Sequence, residues 1–168
     1  MRPLRRTSPP DLAVGPGERV LAWCRTTDDG VLAGTRDALY VEVDGGDVAR
    51  IPWEQVEAAD WDADTDVLRV SLVGSWGEQR VEHDLALTEP GRLLELVRER
   101  VTASVVLQRH VPLAGRRGVR VIGRRAPRGH APIEWFYEYD EGVDPDDPAV
   151  RAAAEEALVA ARSDVGLA

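Results

Sequence analysis

Residues 50–73, reading RIPWEQVEAADWDADTDVLRVSLV, limit the fold of this chain more than any other stretch. They hold Trp53 and Trp61, two of its five tryptophans. From Val67 to Val73, apolar Val67, Leu68, Val70, Leu72 and Val73 surround Arg69 and Ser71. Apolar and β-branched residues alternating with polar ones over a short run read as a half-buried strand. From Trp53 through Val56 to Trp61 the large apolar residues are spaced irregularly among acids, which predicts a bent or bulged strand. Between them, Asp60, Asp62, Asp64 and Asp66 mark a turn, because aspartate caps nearby backbone N–H groups and is poor inside strands. Pro52 has no N–H to give a ladder, so Ile51 and Pro52 belong at an edge, a bulge or a strand start. The stretch is strand, acidic turn, strand: the middle of an antiparallel β-structure.

The flanking sequence continues that pattern. Residues 1–16 carry Pro3, Pro9, Pro10 and Pro16 and read as a flexible tail. Strands are predicted over 18–26, 31–35 and 38–43, with turns at 27–30 and at Asp44-Gly45-Gly46-Asp47. A further turn falls at Gly74-Ser75-Trp76-Gly77, and a strand over 79–87. The period then changes. Leu93, Leu94, Val97 and Val101 share one helical face, with Thr88 as N-cap and Glu89 and Pro90 in the first turn. Ser104 to Leu107 reads as the start of a new strand on its β-branching. Two more strands are expected over 118–125 and 133–139, joined by a loop over 126–132. Asp147 as N-cap and Pro148 at the first position open a second helix, which ends before Gly166 and whose apolar face is Val150, Ala154, Ala157, Leu158 and Ala161.

Composition narrows the class. With 168 residues and a hydrophobic fraction of 43%, the chain can build a core for one domain plus an extension. All 21 basic residues are arginine and asparagine is absent, as high-GC codon usage produces. A net charge of −9 opposes wrapping the whole surface in nucleic acid. The single cysteine, Cys24, excludes an intrachain disulfide and a multi-cysteine zinc site, and a reducing cytoplasm is the expected setting. Arg2, Arg5 and Arg6 are followed by Thr7, Ser8, Pro9 and Pro10 rather than an apolar run, unlike a signal peptide. No apolar run approaches the roughly 18 residues that span a bilayer.

Six or seven antiparallel strands followed by one amphipathic helix resemble the pleckstrin-homology-like (PH-like) fold, and bacterial PH-like domains in particular. Ala33-Gly34-Thr35-Arg36-Asp37-Ala38-Leu39-Tyr40-Val41 stands where that family has its second and third strands. Arg50-Ile51-Pro52-Trp53-Glu54-Gln55-Val56 stands where it enters the fourth. The likeness covers residues 17–103, and the whole chain is similar to proteins of high-GC actinobacteria. It implies a mainly β (α+β) chain: a bent antiparallel sheet or partial barrel over 17–103, capped by a helix. Residues 104–168 then form an extension of two or three strands and a helix, packed on it. Phosphoinositide-binding members carry basic residues on their first two strands. Here Arg25 is followed by Asp28 and Asp29, which repel phosphate.

The residues that tempt a catalytic or metal reading lack the needed pattern. Counting from Asp60, a calcium loop needs glycine at its sixth position and a carboxylate at its twelfth; the chain has Thr65 and Ser71. His83 and Asp84 are strand neighbours facing opposite ways, and Ser75 lacks the nucleophile-elbow spacing. His83, His110 and His130 have no metal-ligand spacing. No catalytic residue, metal or cofactor is expected. The distinctive feature is charge segregation. Residues 109–130 hold Arg109, Arg116, Arg117, Arg120, Arg124, Arg125 and Arg128 and no acid, a net of +7; residues 131–168 hold ten acids and two arginines, a net of −8. Together with Trp135 and Tyr137, and with Phe136 and Tyr139 beside them, these arginines form a candidate interaction patch. It either grips phosphates while the aromatics stack bases, or pairs with the acidic segment that follows. Charge compensation so close in sequence favours the pairing. The expectation is a non-enzymatic cytoplasmic module whose partner is a protein or peptide. A second copy of the chain and nucleic acid are alternatives, and a membrane is not expected.

Overall fold

The computed structural model describes residues 8–42, 46–74 and 79–167. The chain divides into two compact units, Met1–Thr102 and Ala103–Ala168. Among the described residues the first holds β1 (Ala22–Thr26), β2 (Val31–Gly34), β3 (Ala38–Glu42), β4 (Val48–Pro52), β5 (Val56–Asp62), β6 (Val67–Leu72) and β7 (Glu82–Thr88). A single 3-10 turn, Trp53–Gln55, joins β4 to β5, and helix α1 (Leu93–Ser104) crosses the division in its last turn. The second unit holds β8 (Val105–Ala114), β9 (Arg117–Arg124), β10 (Glu134–Tyr139) and helix α2 (Pro148–Asp164). The protein is mainly β, and its strands pair antiparallel in a seven-stranded and a three-stranded sheet. No helix among the described residues is long and apolar enough to cross a membrane.

The seven strands run in the order β4-β3-β2-β1-β7-β6-β5. The tryptophan stretch forms its end at β5 and β6. Asp60 faces Arg69, Trp61 faces Leu68 and Asp62 faces Val67 across the hairpin. Asp62 Oδ1 accepts the amides of Asp64 at 2.9 Å and Thr65 at 3.4 Å, and Asp66 closes the turn at φ 54°. The expected irregularity is real: the first residues turn as a 3-10 helix, and the β5–β6 register shifts between Val56 and Ala58. Pro52 ends β4, an edge strand, where a missing N–H is tolerated.

Alternation along β2 and β3 serves two cores. Leu32, Leu39 and Val41 join Cys24, Ile51, Trp53, Val56, Leu68, Val70 and Leu87 on the inner face. Leu93 and Val97 of α1 belong to the same cluster, so the helix covers that face. Trp53 is fully buried, and its Nε1 donates to Thr35 O at 3.1 Å. Gly34 lets the helix approach: a Cβ there would lie 2.7 Å from Leu96 Cδ2. On the outer face, Val31, Ala33, Ala38 and Tyr40 are buried under Leu12, Val14, Val20 and Trp23. The reading of 1–16 as a tail is corrected for its described part, since Leu12 and Val14 have an apolar face to cover. Glu18, whose side chain is 6% exposed, pins this layer. It accepts from Thr35 Oγ1 at 2.6 Å and from Arg50 Nε and Nη2 at 2.9 and 2.7 Å, while Tyr40 Oη accepts the Gly15 amide at 2.8 Å.

In the second unit the strand order is β10-β9-β8. The strand begun near Ser104 runs on for ten residues through Arg109, which the sequence reading left outside it. Gly118 is required by close approach, because a Cβ there would stand 1.9 Å from Val111 O. Asp147 caps α2 by accepting from Ala149 N at 2.7 Å, with Pro148 at the first helical position. Ala154, Ala157 and Ala161 of α2 are buried, the last two with Val121. Two boundaries differ from expectation. Residues 18–21 lie outside β1, Glu18 being taken by its side-chain network. Thr88 is not an N-cap: it is the last residue of β7, paired with Arg25, and the chain turns at Glu89 (φ 50°) and Gly91 (φ 52°) before α1 starts. Residues 1–7, Val43, Asp44, Gly45 and the Ser75-Trp76-Gly77 part of the predicted turn lie outside the described residues.

Candidate functional site

The arginines singled out from the sequence do not gather into one patch. Arg109 Nη1 sits 3.1 Å from Asp164 Oδ2, and Arg120 Nη1 sits 3.2 Å from Glu138 Oε2, its cross-strand partner. Arg124 is buried, donating to Ser104 Oγ at 3.0 Å. Arg116 and Arg117 are exposed at one end of β9, whereas Arg125 and Arg128 lie exposed past the other, roughly 25 Å of strand away. His110 Nε2 lies 2.8 Å from Asp140 Oδ2, which also accepts the Gly118 amide at 2.7 Å. Those contacts, the His110 one foremost, hold the Asp140 carboxyl below its ordinary range.

The aromatic residues of β10 serve packing first. A Cβ at Gly123 would meet the Trp135 ring at 2.9 Å, so the indole lies over that glycine, among Leu107, Val111, Val121 and Leu158. Phe136 is half-buried. Tyr137 is 38% exposed, its ring 6.2 Å from that of Tyr139. Burial first, then neighbouring Tyr139 and Glu155, push its phenol up.

The other candidates sit where their local chemistry puts them. The Asp62 carboxylate caps its own turn, and Asp84 pairs with Arg69 at 2.8 Å while its neighbour His83 faces Val70 across β6. His130 is exposed in the loop after β9. Cys24 is buried in the inner core, and burial pushes its thiol up to about 11, the opposite of an activated nucleophile. Among the described residues no group of three or more His, Cys, Asp or Glu could hold a metal ion.

A site that sequence reasoning missed lies in the first unit, where β1 begins and α1 passes. β7 pairs with β1 only through Thr88–Arg25 and Leu87–Thr26, then departs into the turn before the helix. Among the described residues, Ala22, Trp23 and Cys24 therefore have a strand neighbour on the β2 side alone. At the first residue of this stretch a groove of about 330 Å³ opens, with Leu21, Ala22 and Leu96 as its apolar lining. Leu21 is 39% exposed. Arg36 and Arg92 border it, with Glu95 and the Glu99–Arg100 pair, 2.6 Å apart, along the helix. The one sequence signal was Gly34, a strand residue with no side chain, which marks where another element comes close.

Strand, glycine and helix thus leave a short slot with one open strand edge, an apolar floor and arginine rims. No family model, curated protein or solved structure matches this chain.

Proposed function

We propose that the chain is a non-enzymatic cytoplasmic interaction module of PH-like fold, which captures an extended segment of a partner protein. A seven-stranded antiparallel sheet whose inner core is completed by a following helix supports the fold reading. The observation that carries the binding role is the β1 stretch Ala22–Cys24, which pairs with β2 on one side, has no β7 partner on the other, and meets the groove at Ala22. An extended peptide added to an open edge gains main-chain hydrogen bonds, and a neighbouring pocket reads its side chains.

Selection of random displayed peptides on the immobilised protein tests this. Bound peptides are expected to protect from hydrogen exchange the amides within Ala22–Cys24 that face away from β2; protection confined to other residues rejects the groove. Nucleic-acid association through residues 109–128 draws less support, because Arg109, Arg120 and Arg124 are already engaged and the rest are dispersed. An electrophoretic shift with RNA or DNA that weakens steeply with salt would restore it.

A further inference from the structure

We infer that the groove between β1 and α1 selects peptides in which a carboxylate side chain lies two residues from an aliphatic one. This rests on the peptide-capture reading above and adds the ligand's chemistry.

In a chain of net charge −9, acids outnumber the arginines, and several arginines are already paired. Arg69, Arg80, Arg100, Arg109, Arg120 and Arg151 are among them. Among the described residues Arg36 and Arg92 have no such partner, yet both border one groove. Of the two helix acids there, Glu99 is held by Arg100, which leaves Glu95 against two unpaired guanidinium groups. The groove is therefore net positive by one charge, on a protein that is acidic as a whole.

Its floor is the other half of the argument. Leu21 is among the few large apolar side chains left exposed, and Leu96 lies beside it over Gly34. A residue such as Val, Ile or Leu would remove that surface from water, each Å² contributing about 25 cal/mol. In an extended chain, residues two apart share a face and stand about 7 Å apart. An acid at that spacing reaches toward the rim while the aliphatic residue covers the floor. Guanidinium groups bind carboxylates through paired, charge-assisted N–H···O contacts. Glu95 and Glu99 disfavour a denser polyanion, so a peptide fits better than a nucleic acid.

The test compares the wild-type protein with an Arg36→Glu/Arg92→Glu variant, whose changes lie on exposed side chains and whose folding is checked by its melting transition. Peptides displayed at random and selected on the wild type are expected to be enriched in Asp or Glu two residues from Val, Ile or Leu. A synthetic copy of one is expected to lose at least about tenfold in affinity on the variant, and similarly when its acids become Gln. Selected peptides without acid enrichment, or with equal affinity for the variant, overturn the inference. If those peptides still protect Ala22–Cys24, peptide capture stands and only its acid preference falls. If no peptide is selected, both fall. An oligonucleotide that binds the same residues more tightly than any peptide overturns the inference as well.

Discussion

The two halves of the seven-stranded sheet treat their outer faces differently. β2 and β3 are buried nearly throughout, whereas β5, β6 and β7 alternate between buried and exposed positions. The inner faces are alike, since both supply the cluster around Trp53. The difference is a layer: Leu12, Val14 and Val20 cover one outer face, while Arg69 and Asp84 meet water on the other. Strands buried on both faces read as continuous apolar runs, and Val31-Leu32-Ala33 and Ala38-Leu39-Tyr40-Val41 are such runs. The N-terminal residues thus behave as part of the first unit's fold, with Glu18 as their anchor.

Matched substitutions can break or sharpen this contrast. The largest effect is expected from Ala33→Asp, which puts an unpaired charge into the covered face. A loss of about 3–5 kcal/mol is expected from urea unfolding, and a wild-type midpoint would mean the N-terminal layer is not seated. Glu18→Gln comes next, at about 2 kcal/mol, through weakened bonds to Arg50 and Thr35.

The same residue predicts a pH dependence. Burial alone would raise the Glu18 carboxyl, but the hydrogen bonds from Thr35, Arg50 and Tyr40 outweigh it and hold the group below its ordinary value. Its contribution is complete above the ordinary carboxylate value and disappears as pH falls through the lower folded one. Acid titration of stability should therefore be shallower in Glu18→Gln than in the wild type. Equal slopes would remove Glu18 from the anchoring role.

Gly34→Ala tests the inner face that both halves share. The new methyl clashes with the tip of Leu96, which can rotate, and touches Leu93 and Trp53 at ordinary contact distance, so about 1 kcal/mol is expected. A larger loss would show that α1 cannot yield. The smallest effect belongs to the open outer face. Removing Arg69 and Asp84, singly and together, should leave the unfolding midpoint unchanged within error, because both are more than half exposed. Coupling well above error in that double-mutant cycle would erase the contrast.

Local chemistry was legible in the sequence, and non-local pairing was not. The acidic turn at Asp62, the bulge after Trp53 and the Asp147-Pro148 helix start depend on neighbours within a few residues, and each was readable. Leu12 and Val14 look like tail residues among prolines; only the apolar outer face of β3 gives them a place. Trp135 reads from sequence as either a base-stacking or a core-covering aromatic, and only the missing Cβ of Gly123, across the strand pair, makes room for its ring in packing. The charge segregation after residue 109 was plain, but its resolution needed the register that sets Arg120 against Glu138. The groove depends on where β7 leaves β1, a distance of sixty residues in sequence, and no local pattern announces it.

A sheet with two rims invites foreign strands to join it, and this one blunts both. β4 finishes in a residue that offers no donor, and β5 carries a register slip near its start. Neither rim presents a flush template for zipping copies together into fibres. On the reading proposed above, strand addition to this sheet would fall instead to the short slot beside the helix.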